Sequence, residues 1–169
     1  MAEKPQSVSR RIEAQIKKGK LDERVAIVYR LQGGHNEDAV DESLVVTAAG
    51  QLRLEVDDRI APERSGEATA GLAGADALEL IRSLVDGTTE MVTASEARFL
   101  PDSLVGSVTV ILGDEKQTYY FAADEDIRKH HRTSLKPRLQ NVLARVRDMQ
   151  TIHIPGKRPK KLPTGQEKR

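Results

Sequence analysis

Histidines are the first residues to consider for catalysis or metal binding, and this chain has one adjacent pair, His130-His131. Successive residues of a helix point about 100° apart, whereas zinc-binding helices place their histidines at i and i+4. Neither histidine is near a Ser–Asp pair that suggests a catalytic triad. We therefore interpret the pair as part of the basic segment that precedes the last predicted helix.

Grouped carboxylates are the other candidates for chemistry. They occur at Asp57-Asp58, at Asp114-Glu115 and at residues 124–126. General acid–base catalysis needs one carboxyl group in an apolar pocket that raises its pKa. All three groups fall in predicted turns, where water keeps both partners ionised. The sequence therefore predicts that the protein is not an enzyme and needs no cofactor.

A Gly-Gly pair followed by an acidic loop is the most distinctive local feature of the body. Gly33-Gly34 follows a predicted strand, as phosphate-binding glycines do, but it opens the loop HNEDAVDE at residues 35–42, whose carboxylates would repel phosphate. The alternation of oxygen ligands that a calcium loop requires is missing as well. We interpret the segment as a solvated loop, and surface loops on a rigid scaffold often carry binding. The candidate partner-binding residues are Gly33, Gly34, His35, Glu37 and Asp38.

Charge is sorted along the chain although the total is only +1. Residues 1–20 carry six basic and two acidic side chains, residues 21–127 carry eight and 22, and residues 128–169 carry 13 and two. Basic clusters release counterions on meeting phosphate, so they predict weak, salt-sensitive nucleic-acid binding. No aromatic residue is interleaved with them to stack on bases. The candidate nucleic-acid-binding residues are Arg10, Arg11, Lys17, Lys18, Lys157, Arg158, Lys160 and Lys161. The other interpretation is that the basic ends fold back on the acidic body or only aid solubility.

Hydrophobic periodicity outlines the elements that must position these residues. We predict, in chain order, a short basic helix over residues 7–20, strands over 24–31, 43–47 and 51–56, a helix over 75–86, strands over 107–112 and 117–122, and a helix over 134–150. Ser7 or Ser9 is expected to cap the first helix. Residues 57–74 are predicted to form a long polar loop, and residues 88–104 are left as a connection.

Short hairpin turns imply antiparallel pairing, which suggests the fold class. We predict an α+β, two-layer sandwich of about five mostly antiparallel strands packed by two amphipathic helices, with a short basic N-terminal helix and a disordered basic C-terminal tail. The predicted division is a basic arm at residues 1–22, an α+β domain at 23–152 and a tail at 153–169.

Composition bounds the class of protein. The chain has 169 residues, 38% of them hydrophobic, five aromatic residues and no cysteine, so its core must be mainly aliphatic. The N-terminus lacks the apolar segment of a secretory signal, and no stretch approaches the roughly 20 apolar residues of a membrane helix. We expect a cytoplasmic protein without membrane association, and the sequence does not indicate its oligomeric state.

The layout of the body also resembles a known family. A first strand closes on Gly33-Gly34, and a strand pair, an amphipathic helix, a hairpin and a final amphipathic helix follow it. Over roughly residues 24–150 this order is similar to that of the emfourin family, protein inhibitors of thermolysin-like metalloproteases such as protealysin. The basic first helix, the segment at residues 57–74 and the tail depart from the compact family pattern. The resemblance implies a non-enzymatic protein-binding domain, and no inhibitory residue can be matched one to one.

These observations predict a function by binding. The leading hypothesis is a non-catalytic protein-binding module, an inhibitor-like or complex-subunit protein with an unidentified protein partner. The alternative is a nucleic-acid-associated protein that uses its basic N- and C-terminal segments, with binding that falls steeply as salt rises.

Overall fold

A computed structural model describes residues 7–33, 40–59, 62–97, 99, 104–123 and 137–154. The helices are α1 (Val8–Lys17), α2 (Gly74–Gly87) and α3 (Pro137–His153). The strands are β1 (Val25–Gly33), β2 (Val40–Thr47), β3 (Gln51–Asp58), β4 (Gly66–Gly71), β5 (Val92–Thr93), β6 (Leu104–Leu112) and β7 (Glu115–Ala122). Two single 3-10 turns lie at Pro62–Arg64 and Thr88–Glu90.

The strands form one antiparallel sheet in the order β4-β3-β2-β1-β6-β7-β5. The central strand β1 pairs with β2 through Tyr29 opposite Leu44 and with β6 through Tyr29 opposite Val108. Directly opposed residues share a face of an antiparallel sheet, so this row is continuous across the three strands. The α+β class and the antiparallel pairing are confirmed.

All three helices contribute to a core on one face of the sheet. Inward residues of the strands, such as Ile27, Leu54 and Val110, are fully buried with Ile12 of α1 and Leu84 of α2. Alternation along the strands places every second side chain on this face, as a half-buried sheet requires. The result is two layers: the sheet and a row of helices.

The strand count was underestimated, since the described residues form a sheet of seven strands where about five were predicted. The long loop predicted over residues 57–74 contains β4, whose alternating Gly, Ala and Thr lack the large apolar side chains that mark a strand. β5 has only two residues, too few to show any period. Both lie at the edges of the sheet, where pairing with a neighbour makes the strand.

The predicted helices are present, but three helices of the described part of the chain, rather than two, pack on the sheet. Ser7 accepts a hydrogen bond from the backbone N–H of Arg10 and so caps α1, while Ser9 is buried, with its hydroxyl 2.7 Å from that of Tyr119. The predicted start of the last helix at residue 134 precedes the described Pro137, where α3 begins. The predicted tail lies outside the described residues, and the division into arm, domain and tail stays a prediction.

Candidate functional site

The face of the sheet opposite the helices forms the open face. Its central strands present apolar and small side chains there, among them Ala26 and Val28 of β1, Val45 of β2 and Ile111 of β6, each partly buried by its neighbours. On the same face, the hydroxyls of Thr109 and Thr118 are 2.9 Å apart. No helix that the structure describes lies over this half-apolar face, and an antiparallel sheet commonly has one face packed and one face open.

Four carboxylates gather at one corner of the open face. The register places Asp41 of β2 directly opposite Asp57 of β3, and Glu55 of β3 directly opposite Glu67 of β4. Asp57 and Glu55 are two residues apart on one strand, so both pairs lie on the same face. We call Asp41, Glu55, Asp57 and Glu67 the acidic corner.

The acidic corner is only partly neutralised. Arg53 makes a salt bridge to Glu67, Nη2 to Oε1 at 3.0 Å, with both side chains more than half exposed. The backbone N–H of Gly33 donates to Oδ1 of Asp41 at 3.3 Å. Glu55 and Asp57 make no salt bridge with any residue that the structure describes. Like charges directly opposite each other destabilise a sheet, and among the described contacts only those of Arg53 and of the Gly33 N–H offset this repulsion.

A shallow groove of about 650 Å³ runs beside the acidic corner on the open face. Its walls include Val45, Thr47, Gln51, Arg53 and Thr69. Val45, Arg53 and Thr69 are successive members of one cross-strand row. The groove therefore crosses the strands from β2 to the outer strand β4 and gives a mixed apolar and polar floor beside the carboxylates.

Of the predicted partner-binding residues, Gly33 is the one that the structure places. It ends β1, and its carbonyl oxygen accepts a hydrogen bond from Nη2 of Arg59 at 3.3 Å. Its hydrogen bond to Asp41 puts it next to the acidic corner. Gly34, His35, Glu37 and Asp38 lie outside the described residues.

Part of the predicted acidic loop is strand instead. Residues 40–42 belong to β2, and Glu42 faces the helices, where it is only 8% exposed and accepts a hydrogen bond from Gln150. The prediction of a solvated loop is therefore wrong for Glu42. β2 begins three residues before the predicted strand, and the inward carboxylate of Glu42 interrupts the apolar alternation on which that prediction depended.

The predicted nucleic-acid-binding residues of α1 are described, and two of them are paired. Arg11 contacts Glu115 at 2.7 Å and Lys17 contacts Glu13 at 3.0 Å. Arg10 and Lys18 are exposed. Lys157, Arg158, Lys160 and Lys161 lie outside the described residues. Arg11 and Lys18 also line a cleft of about 580 Å³ against the β6–β7 turn, where Asp22, Asp114 and Glu115 oppose their charge.

The described groups with clearly shifted pKa values lie in or beside turns, and two of them, Asp22 and Arg24, also line the cleft against the β6–β7 turn. The guanidinium of Arg24 donates to Asp22 and lowers the pKa of that carboxyl to about 2, and Asp22 in turn raises the pKa of Arg24. Hydrogen bonds from the backbone and hydroxyl of Thr93 lower the pKa of Glu96. Across the ranges that the structure describes, no three His, Asp or Glu side chains are arranged to hold a metal ion.

Sequence reasoning missed three members of the acidic corner. Glu55 fell within a predicted strand, but Asp41 and Glu67 were assigned to loops and Asp57 was assigned to a turn. The missing information is register, because only the pairing of β3 with β4 brings Glu55 and Glu67 together. The length of the β2–β3 hairpin could have indicated the Asp41–Asp57 pair.

No protein-family model matches the chain, and a search of curated proteins found no match. Among the described residues, no helix combines the length and the apolar character needed to cross a membrane.

Proposed function

We propose that this chain is a non-catalytic protein-binding module that receives a Lys- or Arg-bearing partner protein on its acidic corner. The observation that supports the proposal is the register, which sets Asp41 against Asp57 and Glu55 against Glu67 on the uncovered face. A partner's cations would relieve the repulsion between these carboxylates. Residues that bind partners are often retained at some expense of stability.

Charge complementarity selects the kind of partner. Carboxylates on the open face repel phosphate, so a nucleic acid is disfavoured there, whereas a basic protein surface is attracted and its association is accelerated. The adjoining groove beside Val45 and Thr69 offers apolar contact that a purely electrostatic patch lacks. Both features are at the same corner, which favours a protein contact over unspecific attraction of cations.

The nucleic-acid alternative depends on the basic ends. In α1, Arg11 and Lys17 are already paired with acidic side chains, which reduces the charge available to phosphate. The nuclease treatment in the experiment below tests this alternative.

The experiment is a capture of partners from lysate at low salt, with and without nuclease, using the full chain and two variants. The corner variant carries Glu55→Gln, Asp57→Asn and Glu67→Gln. The control variant carries Glu23→Gln, Asp114→Asn and Asp148→Asn, three exposed acidic residues elsewhere, so both variants change net charge equally. We expect a protein that survives nuclease, remains with the control variant and is lost with the corner variant. Capture that nuclease abolishes, or that both variants retain equally, would overturn the proposal.

The resemblance to emfourins makes one partner class directly testable. Thermolysin is assayed with a peptide substrate while the full chain is added at rising concentration. Inhibition that weakens in the corner variant and not in the control variant would identify the partner as a thermolysin-like metalloprotease. Absence of inhibition would leave the binding function and remove the inhibitor role.

A further inference from the structure

No strand among the described residues lies beside the outer edge of β4. β4 pairs with β3 on one side, and no backbone hydrogen bond joins its other side to a residue that the structure describes. Natural edge strands are usually blunted by lysine, proline, a bulge or shortness. Gly66–Gly71 contains neither lysine nor proline and pairs in register over all six residues.

The opposite edge of the sheet is protected in the usual way. β5 consists of Val92–Thr93 alone, and a hydrogen-bonded turn that includes Glu96 follows it. A strand of two residues offers almost no template for pairing. The two outermost strands therefore differ, and β4 is the longer of them, with six residues against two.

The side chains beside this edge select the occupant. On the open face, a strand added to β4 would have a residue directly opposite Glu67, with Glu55 one strand further in. Opposite charges across neighbouring strands stabilise the pair, so lysine or arginine is favoured at that position. On the helix face, Ala68 and Ala70 pack against the core, so apolar side chains are favoured at the alternate positions of the added strand.

A second copy of this chain fits the edge less well. If β4 paired with itself across a two-fold axis centred at Ala68, the two Glu67 side chains would be diagonal neighbours on one face. Diagonal neighbours lie about 7–8 Å apart, and the two Glu55 side chains would add to the repulsion. A basic strand would instead place positive charges beside these carboxylates.

We propose that an extended segment of the partner, with basic residues at alternate positions, adds to β4 as an eighth strand. The inference rests on the proposed function and specifies the conformation of the partner there. Backbone hydrogen bonds along β4 would supply affinity, and the contact of alternate Lys or Arg residues with Glu67 and Glu55 would supply specificity, as in other cases of strand addition.

The test uses synthetic peptides and the full chain. The probe is an acetylated, amidated heptapeptide of alternating Thr and Lys, and its matched control alternates Thr and Glu. Hydrogen exchange followed by NMR reports the outward N–H groups of β4, and titration reports affinity. We expect the Lys peptide, and not the Glu peptide, to slow exchange at β4, and Glu67→Gln to weaken its binding by about two- to fivefold.

Blocking the edge separates strand addition from attraction of charge. Successive N–H groups of a strand point to opposite sides. The N–H of Leu72, one residue beyond the Gln51–Gly71 pair, donates to the carbonyl oxygen of Gly50, so the N–H of Ala68 points to β3 and that of Thr69 points outward. Thr69→Pro therefore blocks the edge and is expected to lose at least tenfold in affinity. If Thr69→Pro does not fold, the Lys peptide N-methylated at alternate residues, in both phases, replaces it, and one phase is expected not to bind.

The outcomes distinguish this inference from the proposed function. A peptide of residues 155–169, which is basic but carries three prolines, should bind at least tenfold more weakly than the Lys peptide. Equal binding of the two basic peptides would overturn strand addition. Binding of the Lys peptide that is unaffected by the edge block but lost in the corner variant would also overturn it, and the acidic corner would then recognise charge alone. Concentration-dependent self-association lost on blocking the edge would instead identify a second copy as the occupant.

Discussion

Gln150 of α3 donates a hydrogen bond from Nε2 to Oε2 of Glu42 on β2, at 2.6 Å, inside the core. Gln150 is 1% exposed and Glu42 is 8% exposed. The Oε1 atom of Gln150 is also buried and has no hydrogen-bond partner among the described residues. Because a buried polar group costs free energy unless it is paired, this contact fixes how α3 docks on the sheet.

Removing the donor is expected to destabilise the protein. Gln150→Leu would leave the buried carboxylate of Glu42 without this hydrogen bond, and hydrogen bonds to charged groups contribute about 1.5–3 kcal/mol to the free energy of unfolding. The measurement is urea denaturation followed by circular dichroism.

The matched controls locate the effect in the pair. The double variant Glu42→Leu with Gln150→Leu replaces both partners by apolar groups and should be closer to wild type than Gln150→Leu alone. Ile152→Ala alters a side chain of α3 that is 69% exposed and should change stability by less than about 0.5 kcal/mol. A double variant less stable than either single variant would contradict the assignment.

Position 106 of β6 needs glycine because the ring of Phe121 occupies the space that a Cβ atom would fill. The two residues are directly opposite each other, and a Cβ atom at position 106 would lie 2.1 Å from Cζ of Phe121. Gly106→Ala should therefore displace a core side chain and cost about 1–3 kcal/mol of stability. Thermal and chemical unfolding of Gly106→Ala, Phe121→Leu and the double variant form a cycle, and a double variant less destabilised than the sum is expected. Gly74→Ala, which meets no atom within 4 Å, serves as the neutral control.

Two glycines with positive φ allow the cost of the backbone conformation to be measured separately from the cost of a steric contact. Gly50 has φ of +82°, and a Cβ there would lie 2.5 Å from the carbonyl oxygen of Leu72, whereas Gly19 has φ of +66° and open space around it. Alanine in this conformation costs about 1–2 kcal/mol. Gly19→Ala should lose that amount, and Gly50→Ala should lose more because the Leu72 contact opposes it. Equal losses in urea denaturation would show that the contact is relieved without cost.

The sequence predicted those parts of the fold whose apolar side chains recur with a regular period. Alternation in β1, β3 and the β6–β7 hairpin and the stripes of the helices placed the central elements correctly. β4 was not predicted because its inward residues are Gly66, Ala68 and Ala70, whose burial depends on α3 and β3 rather than on their own size. The acidic corner was not predicted for a related reason. It depends on the register between strands, which no single stretch of sequence encodes.

The pair of Asp22 and Arg24 makes a prediction about pH. Two contacts from the Arg24 side chain, at 3.1 and 2.9 Å, and one from its backbone N–H lower the pKa of Asp22 from 3.8 to about 2. A carboxyl whose pKa is lower in the folded chain stabilises that chain above the unfolded pKa, and the contribution is lost as pH falls through the folded value. In Arg24→Gln, the NMR-measured pKa of Asp22 should rise towards 3.8, and stability should fall less steeply between about pH 4 and pH 2.

An unchanged pKa of Asp22 in Arg24→Gln would mean that the backbone hydrogen bond alone is responsible. Glu96 is the internal reference, because its lowered pKa comes from Thr93 and should not respond to a change at Arg24.

The acidic corner predicts opposite effects of one substitution on stability and on binding. Glu55 lies opposite Glu67, and exchanging one of two like charges for its opposite changes cross-strand stability by about 0.2–1 kcal/mol. Glu55→Lys should therefore raise the free energy of unfolding while it abolishes capture of a basic partner. Glu23→Lys, an exposed residue near β1, gives the same change in net charge and should do neither. If Glu55→Lys instead destabilised the sheet, Glu55 would be held by favourable contacts, and the argument that the corner is retained for a partner would fail.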